Sequence, residues 1–397
     1  MAHFWNTIDD MNNDMKNMET FNQIKILTIY GKFNFSLPNT LTHLYCNNIQ
    51  LSSLPELPNT LTYLECVNNR LSSLPELPNT LARLGCSCNK LSSLPELPNT
   101  LVRLECSHNK LLSLPKLPNI LAYLECSHNK LLSLPELPQT LTYLFCLNNQ
   151  LSSLPELPNI LTSLECSRNK LSSIPKLPNT VTELYCSHNQ LLSVPEFPNT
   201  LTYLDCAKNK LSNLPFVPNT LTYLDCMNNQ LSSLPKLPNI LTHLNCSKNK
   251  LSSLPELPNT LTHLNCSKNK LSNLPELPNT LTHLNCTKNK LLSLPELPQN
   301  LLIIIYYKNP FNIWSALIDP TKINIEYAEI ICEKFNLLYY KIKEIEDDLN
   351  KHINEEIEDE EIVYEFSKNM IDQYNQKMSE LKKEIDIILN FKLEIIL

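Results

Sequence analysis

Thirteen cysteines, Cys46 to Cys286, recur at every twentieth position. A column of thiols could in principle hold a soft metal or close into disulfides. Zinc ligands must converge tetrahedrally, and a disulfide needs two Cβ vectors turned toward each other. Side chains separated by one structural unit project in parallel instead. The expected role is a small buried apolar group, and no metal or other cofactor is expected. The pairs Cys106/His108, Cys126/His128 and Cys186/His188 place their members on opposite faces. Cys88, in Cys86-Ser87-Cys88, is the irregular thiol and is expected to be accessible, where redox sensing would be feasible. His243, His263 and His283 form a second ladder beside Asn245, Asn265 and Asn285. Rings stacked in register converge poorly on one ion. The near identity of residues 241–260 and 261–280 reads as recent duplication.

Lysine is frequent ten residues into the repeat (Lys90, Lys110, Lys130, Lys170, Lys210, Lys250, Lys270, Lys290) and again at the eighth position (Lys208, Lys248, Lys268, Lys288). Such a stripe could follow a phosphate backbone. Glu56, Glu76, Glu96, Glu136 and Glu256 at the sixteenth position supply opposite charge, so compensated, solvated edges are expected and nucleic acid is not the expected partner. The whole chain carries a formal charge of −7.

Composition removes other chemistries. The 397 residues hold 29 prolines and only 2 glycines, Gly31 and Gly85. A dinucleotide fingerprint, a P-loop and a nucleophile elbow all need clustered glycines. Hydrophobic residues at 42% and charged residues at 18% indicate a folded chain. The start, Met1-Ala2-His3-Phe4-Trp5 followed by Asp9, Asp10 and Asp14, has neither a basic region nor an apolar run. The most apolar stretch, 301–307, is too short to span a bilayer. The expectation is a cytoplasmic protein with free thiols and no membrane partner.

These residues are positioned by a repeat. From Leu41 to Asn300 the unit L-T-x-L-x-C-x-x-N-x-L-x-S-L-P-x-L-P-N-T runs 13 times without a gap. A fixed period of this size specifies a solenoid. Leu61, Leu64 and Cys66 point inward while Thr62, Tyr63 and Glu65 are exposed, the alternation of a strand with one buried face. The asparagine at the ninth position, such as Asn69 or Asn109, is expected to form an amide ladder. The L-P-x-L-P limb carries 26 of the prolines. Proline lacks an N–H and fixes φ, so this limb is extended or polyproline-like. The expected fold is a repeat solenoid with a parallel sheet on the concave face, thin convex limbs and helical caps at both ends.

The unit resembles the leucine-rich repeat, LxxLxLxxNxLxxLP, in its shortest class. It is similar to repeats of bacterial effector proteins and of proteins encoded by giant DNA viruses. The resemblance covers 260 of the 397 residues. Cysteine at the sixth position and Ile49 at the first ninth position depart from the family pattern. The resemblance implies a binding surface, in a cytoplasm that would be a host's if the protein were viral or an effector. Some effectors of this class carry a C-terminal ubiquitin ligase with a catalytic cysteine. Here Ile331-Cys332-Glu333-Lys334 lacks the Cys-x-Asp motif, so no enzyme is expected.

The ends are expected to seal the stack. Residues 1–40 read as a cap: Phe4, Ile8, Met11, Met15 and Met18 at helical spacing, then a degenerate first turn (Phe21, Ile24, Ile26, Leu37-Pro38-Asn39-Thr40). In 301–320, Leu301, Ile304, Tyr306, Asn309 and Phe311 keep the template as an imperfect last turn. Residues 321–397 show two helical stripes, Tyr327 to Ile345 and Val363 to Ile388, separated by an acidic run, Glu355 to Glu361. They read as an αα-hairpin cap, with homo-oligomerisation through these helices as the alternative.

The repeat varies at the third and fifth positions, both expected on the concave face. There stand Arg83, Arg103, Tyr123, Tyr143 and Phe145 as one patch and Tyr185, Tyr203, Asp205, Tyr223 and Asp225 as another, with Tyr63, His243 and His263 as further candidates. Tyrosine and arginine on a rigid surface are the residue types of protein interfaces. The expected function is non-enzymatic binding of a protein partner through this face. The alternative is a scaffold that associates through its C-terminal helices.

Overall fold

The computed structural model describes residues 2–5, 23–31, 36–306 and 308–310. The chain divides into two units, 1–312 and 313–397, and the sheet belongs to the first. The αα-hairpin, Phe311 and the helical stripe from Ile8 to Met18 lie outside the described residues.

Sixteen parallel strands stand in chain order in a single sheet. β1 is Ala2–Trp5, β2 is Ile26–Ile29, and β3 to β15 run from His43–Tyr45 to His283–Asn285 at 20-residue intervals. β16 is Ile303–Ile305. Each strand pairs with its neighbour in strict register, Leu64 with Leu84 and Leu84 with Leu104. The ladder is shorter than the six-residue alternation implies, covering three residues per turn. Pairing continues in looser geometry on both sides: the Thr62 N–H donates to Thr42 O (2.8 Å) and the Cys66 N–H to Gly85 O (2.8 Å). Leucines at the first, fourth and eleventh positions and the sixth-position cysteines fill the core with essentially no exposure. Each buried leucine contributes about 1.5–3 kcal/mol.

The convex limb behaves as its prolines dictate. Among the described turns, no N–H from the twelfth to the twentieth position donates to a backbone carbonyl. Prolines remove two of the donors there, so the limb forms no ladder with a partner strand. It is anchored by the buried leucines of L-P-x-L-P and by a turn closed from the Leu61 N–H to Pro58 O (3.0 Å) in every repeat.

The asparagine ladder is present as expected. Asn89 Oδ1 accepts from the Leu71 N–H of the preceding turn (3.0 Å), while Nδ2 donates to Cys66 O (2.9 Å) and Cys86 O (3.1 Å). A second ladder lacked any distinctive sequence signal. The twentieth-position threonine, such as Thr80, shares its hydroxyl hydrogen between Asn59 O and Leu61 O of the previous turn (both 2.7 Å). Ile120, Ile160 and Ile240 interrupt it, each nearly half exposed. Replacing Ile160 by Thr restores one hydrogen bond at little loss of burial. It is expected to stabilise the solenoid by about 1 kcal/mol in urea denaturation; an unchanged or lowered midpoint would refute the ladder's energetic role.

The eighth position is left-handed in every turn from Asn48 to Lys308, with φ between 51° and 60°. Such a conformation costs a residue other than glycine about 1–2 kcal/mol. Asparagine suits it; Cys88, His108, Arg168 and Lys268 occupy it because pairing on both sides holds the backbone there. This turn directs the eighth and tenth side chains outward around the buried ninth.

Two expectations about the N-terminal end are corrected. Phe4 lies in β1, which pairs with β2 from Ala2↔Ile26 to Trp5↔Ile29, so it is not part of a helical stripe. A paired strand satisfies backbone donors that an open sheet edge leaves bare. The first turn is also three residues short: Ile26 pairs with His43 and Leu27 with Leu44. The inward residues are therefore Ile24, Leu27 and Ile29, all buried, and Ile26, half-buried, faces the other way; Phe21 lies outside the described residues. At the other end Asn309 completes the amide ladder, accepting from the Leu291 N–H (3.2 Å) and donating to Cys286 O (3.0 Å).

Candidate functional site

In-register stacking brings third-position side chains of successive turns into ring contact. Fifth-position residues stand two places along the strand, on the same face. Each concave residue therefore meets its equivalents one turn away and its diagonal neighbours about one turn and two residues away.

The N-terminal patch is held together by charge as well as by rings. Arg103 Cζ sits 3.6 Å from the Tyr123 ring centroid, and Arg83 Cζ sits 5.1 Å from that of Tyr63. Both guanidinium groups bind Glu105, Arg83 Nη2 at 3.3 Å and Arg103 through Nε. Glu105 is thus the hub of the patch, a role hidden in sequence because Arg83 and Glu105 are 22 residues apart. Tyr123 packs on Tyr143 (5.8 Å) and Phe145 (5.6 Å). Its hydroxyl donates to Glu125 Oε2 (3.2 Å). Burial, and then the Glu125 charge, push the Tyr123 phenol up to about 12. Tyr63 joins the patch and continues it to His43 and Tyr45.

Ser163 and Glu183 break the ring ladder. Ser163 is buried and its hydroxyl donates to Glu183 Oε2 (3.2 Å). Beyond the break a second ladder runs through six rings. Tyr185 meets Tyr203 at 4.7 Å, and Tyr203 stacks on Tyr223 at 4.2 Å with 4° between planes. The column continues from Tyr223 to His243 (5.7 Å), His263 (4.3 Å) and His283 (4.2 Å). The patch expected around the tyrosines is therefore continuous with the histidines. Burial, and then the hydrogen bond it donates to Tyr223, raise the Tyr203 phenol above its ordinary range.

The histidines are each seated on the preceding threonine. Thr242 Oγ1 donates its single hydrogen to Thr222 O (3.0 Å) and lies 2.9 Å from His243 Nδ1. This contact holds the ring edge-on to the groove beside its own strand. Thr262 and Thr282 repeat the arrangement with His263 and His283. Burial and the two flanking rings lower the basicity of His263. Face-to-face stacking covers the ring faces, so hydroxyls and ring edges meet the groove.

The fifth-position carboxylates are partly committed to the backbone. Glu165, Asp205 and Asp225 accept from the N–H two residues on, at 2.8, 3.0 and 2.9 Å. The second oxygen of Asp225 accepts from Asn245 Nδ2 (3.0 Å). Burial first raises Glu165 and Asp225 above the usual carboxylate range. Asp225 therefore orders the strand end as much as it faces the groove.

The cysteine column is buried and chemically quiet. Burial, followed by the Glu125 charge, pushes Cys126 up to about 12; burial also raises Cys246 to about 12. Among the described cysteines, Cys88 is exposed.

No family model and no curated protein matches the chain. Among solved structures it is similar to YopM from Yersinia enterocolitica, 39% identical over 71% of this chain, with a TM-score of 0.68; the chain spans 63% of that protein's length. It is likewise similar to YopM of Yersinia pestis, a leucine-rich effector protein, at 38% identity over 68% of this chain and 84% of the other, with a TM-score of 0.61. The fold is shared at 22% identity with the ectodomain of the Arabidopsis thaliana receptor kinase GASSHO1/SCHENGEN3 in complex with Casparian strip integrity factor 2. That match covers 75% of this chain and 43% of the receptor chain, with a TM-score of 0.53. Thirteen in-phase repeats on an unbroken parallel sheet, alike in sequence and fold to both Yersinia proteins, show that the chain belongs to the leucine-rich repeat proteins, in the class with about 20 residues per turn.

Proposed function

We propose that the protein is a non-enzymatic binding module that takes a protein partner on its concave face. The reading rests on the ring ladder from Tyr185 to His283. Six stacked rings on a paired sheet have little side-chain entropy left to lose, and their hydroxyls and ring nitrogens offer hydrogen bonds along the groove. Preorganised tyrosines of this kind are typical binding hot spots. Arg83, Arg103, Tyr123, Tyr143 and Phe145, tied by Glu105, form a second anchor toward the N-terminus. The receptor ectodomain bound to its integrity factor is an instance of this fold engaging a partner.

The test is affinity capture from cell lysate with the intact chain and with Tyr203→Ala/Tyr223→Ala. Each tyrosine as a hot spot contributes about 2 kcal/mol or more, about 30-fold in affinity. A partner retained by the intact chain is expected to be lost from the variant, while urea denaturation shows the sheet still folded. Equal capture by both would end the assignment of these residues. Deleting residues 321–397 separates the alternative, because a scaffold that associates through its C-terminal helices loses its partners with them.

A further inference from the structure

The charges of the repeats are sorted by surface. All 16 acids between Leu41 and Asn300 stand at the third, fifth or sixteenth position. Fourteen of the 19 bases stand at the eighth or tenth. No acid occurs anywhere from the seventh to the thirteenth position of any turn. The left-handed eighth residue turns both cation rows outward along one edge of the solenoid. Sheet spacing of about 4.8 Å per turn makes the edge from Arg70 to Lys290 about 50 Å long. Lys170 Nζ donates to Gln150 Oε1 (3.2 Å) and Lys250 Nζ to Gln230 Oε1 (3.1 Å), so these side chains lie along the row.

Charge is densest in the last three full turns, where Lys248, Lys250, Lys268, Lys270, Lys288 and Lys290 follow one another and Lys308 continues the row. Two lysines per turn amount to one positive charge per about 2.4 Å, close to the one phosphate per about 1.7 Å of a DNA duplex. Neighbouring ammonium groups lie within a Debye length of about 8 Å, so an anionic partner relieves their repulsion. Lysine is depleted in protein interfaces, and this edge has no Phe, Tyr or Trp. Its large apolar exposures are the isolated Leu112, Leu132, Leu192 and Leu292. Lysine instead meets phosphate as a flexible point charge, without geometric selection.

We infer that this lysine edge binds the phosphodiester backbone of nucleic acid, without reading sequence. It is a second binding surface, distinct from the concave face.

The test is fluorescence anisotropy with the full chain and labelled mixed-sequence probes, a short DNA duplex and a single-stranded RNA. Binding is expected in the micromolar range, falling about 10³-fold between about 50 and 200 mM salt, as for some six phosphate contacts. Lys248→Gln/Lys268→Gln/Lys288→Gln should reduce the log–log salt slope by about three. Lys116→Gln/Lys176→Gln/Lys236→Gln removes the same charge from the sixteenth position and should leave the slope unchanged. Circular dichroism checks that both triples fold. Three results would overturn the inference: no binding of either probe at low salt, equal losses in the two triples, or tighter binding of polyglutamate of matched charge. The last would make the edge a surface for acidic protein.

Discussion

Replacing Asn169 by Ala is expected to destabilise the solenoid by about 2–3 kcal/mol. Asn169 Oδ1 accepts from the buried Leu151 N–H (3.0 Å), and its amide donates to Cys146 O (2.9 Å), Cys166 O (3.1 Å) and Ser167 O (3.2 Å). Alanine leaves that N–H unpaired behind a wall of leucine, where water cannot replace the amide, while the carbonyls keep one donor each: Cys146 O from Asn149 Nδ2, Cys166 O from Asn189 Nδ2 and Ser167 O from the Asn148 N–H. The loss also uncouples two halves of a stack in which each turn touches only its neighbours. Asn289→Ala, near the end of the stack, should cost less because it frays fewer turns. Urea denaturation of both variants measures the difference; a cost below about 1 kcal/mol for Asn169→Ala would show that the ladder is incidental.

The charge on the amide's replacement gives a sharper form. Asn169→Asp keeps the acceptor, but as a carboxylate it faces the Cys146 and Cys166 carbonyls. Only the protonated acid can donate to them, so its folded pKa is raised above the unfolded value of about 3.9. A raised pKa means the folded state binds the proton more tightly. The variant's stability is therefore greatest below that unfolded value and declines as pH rises through the folded one. Wild type lacks this group and should not show that decline.

Thiol chemistry should separate one cysteine from thirteen. In the native protein, iodoacetamide is expected to modify Cys88 orders of magnitude faster than the column from Cys46 to Cys286. The column cysteines are sealed from reagent, and where burial holds a thiol at about 12, as at Cys126 and Cys246, about one in 10⁴ is thiolate at pH 8. Cys88 is also raised by partial burial and then by Glu125, so its own labelling should quicken toward alkaline pH. Peptide-level mass spectrometry resolves each site, and Cys88→Ser should remove the fast label among the fourteen. Denaturant should expose the column. Rapid native labelling of Cys166 or Cys206 would contradict the buried arrangement.

A period shows which residues become neighbours one turn apart, because in-register stacking carries every position onto its equivalent. The leucine and cysteine columns, the asparagine ladder, the unpaired proline limb and the concave placement of the third and fifth positions all follow from it. The period fails as a guide where it is broken. A three-residue shortening put Leu27 and Ile29 inward in place of Ile26, because hydrophobic side chains at both registers fit the pattern. Phe4 matched a helical stripe equally well, and pairing with β2 decided for a strand.

The amino-acid sequence by itself determined the architecture: a parallel sheet of identical turns, its core, and the face on which variation is displayed. Translation by one unit leaves little else for the chain to choose. Tertiary structure alone decided how side chains divide their bonds within that frame. It joined Arg83 and Arg103 through Glu105, committed Asp225 to Met227 and Asn245, and seated His243, His263 and His283 on their neighbouring threonines. These outcomes depend on diagonal distances and rotamers. Neither of these is carried by the spacing of residues along a line.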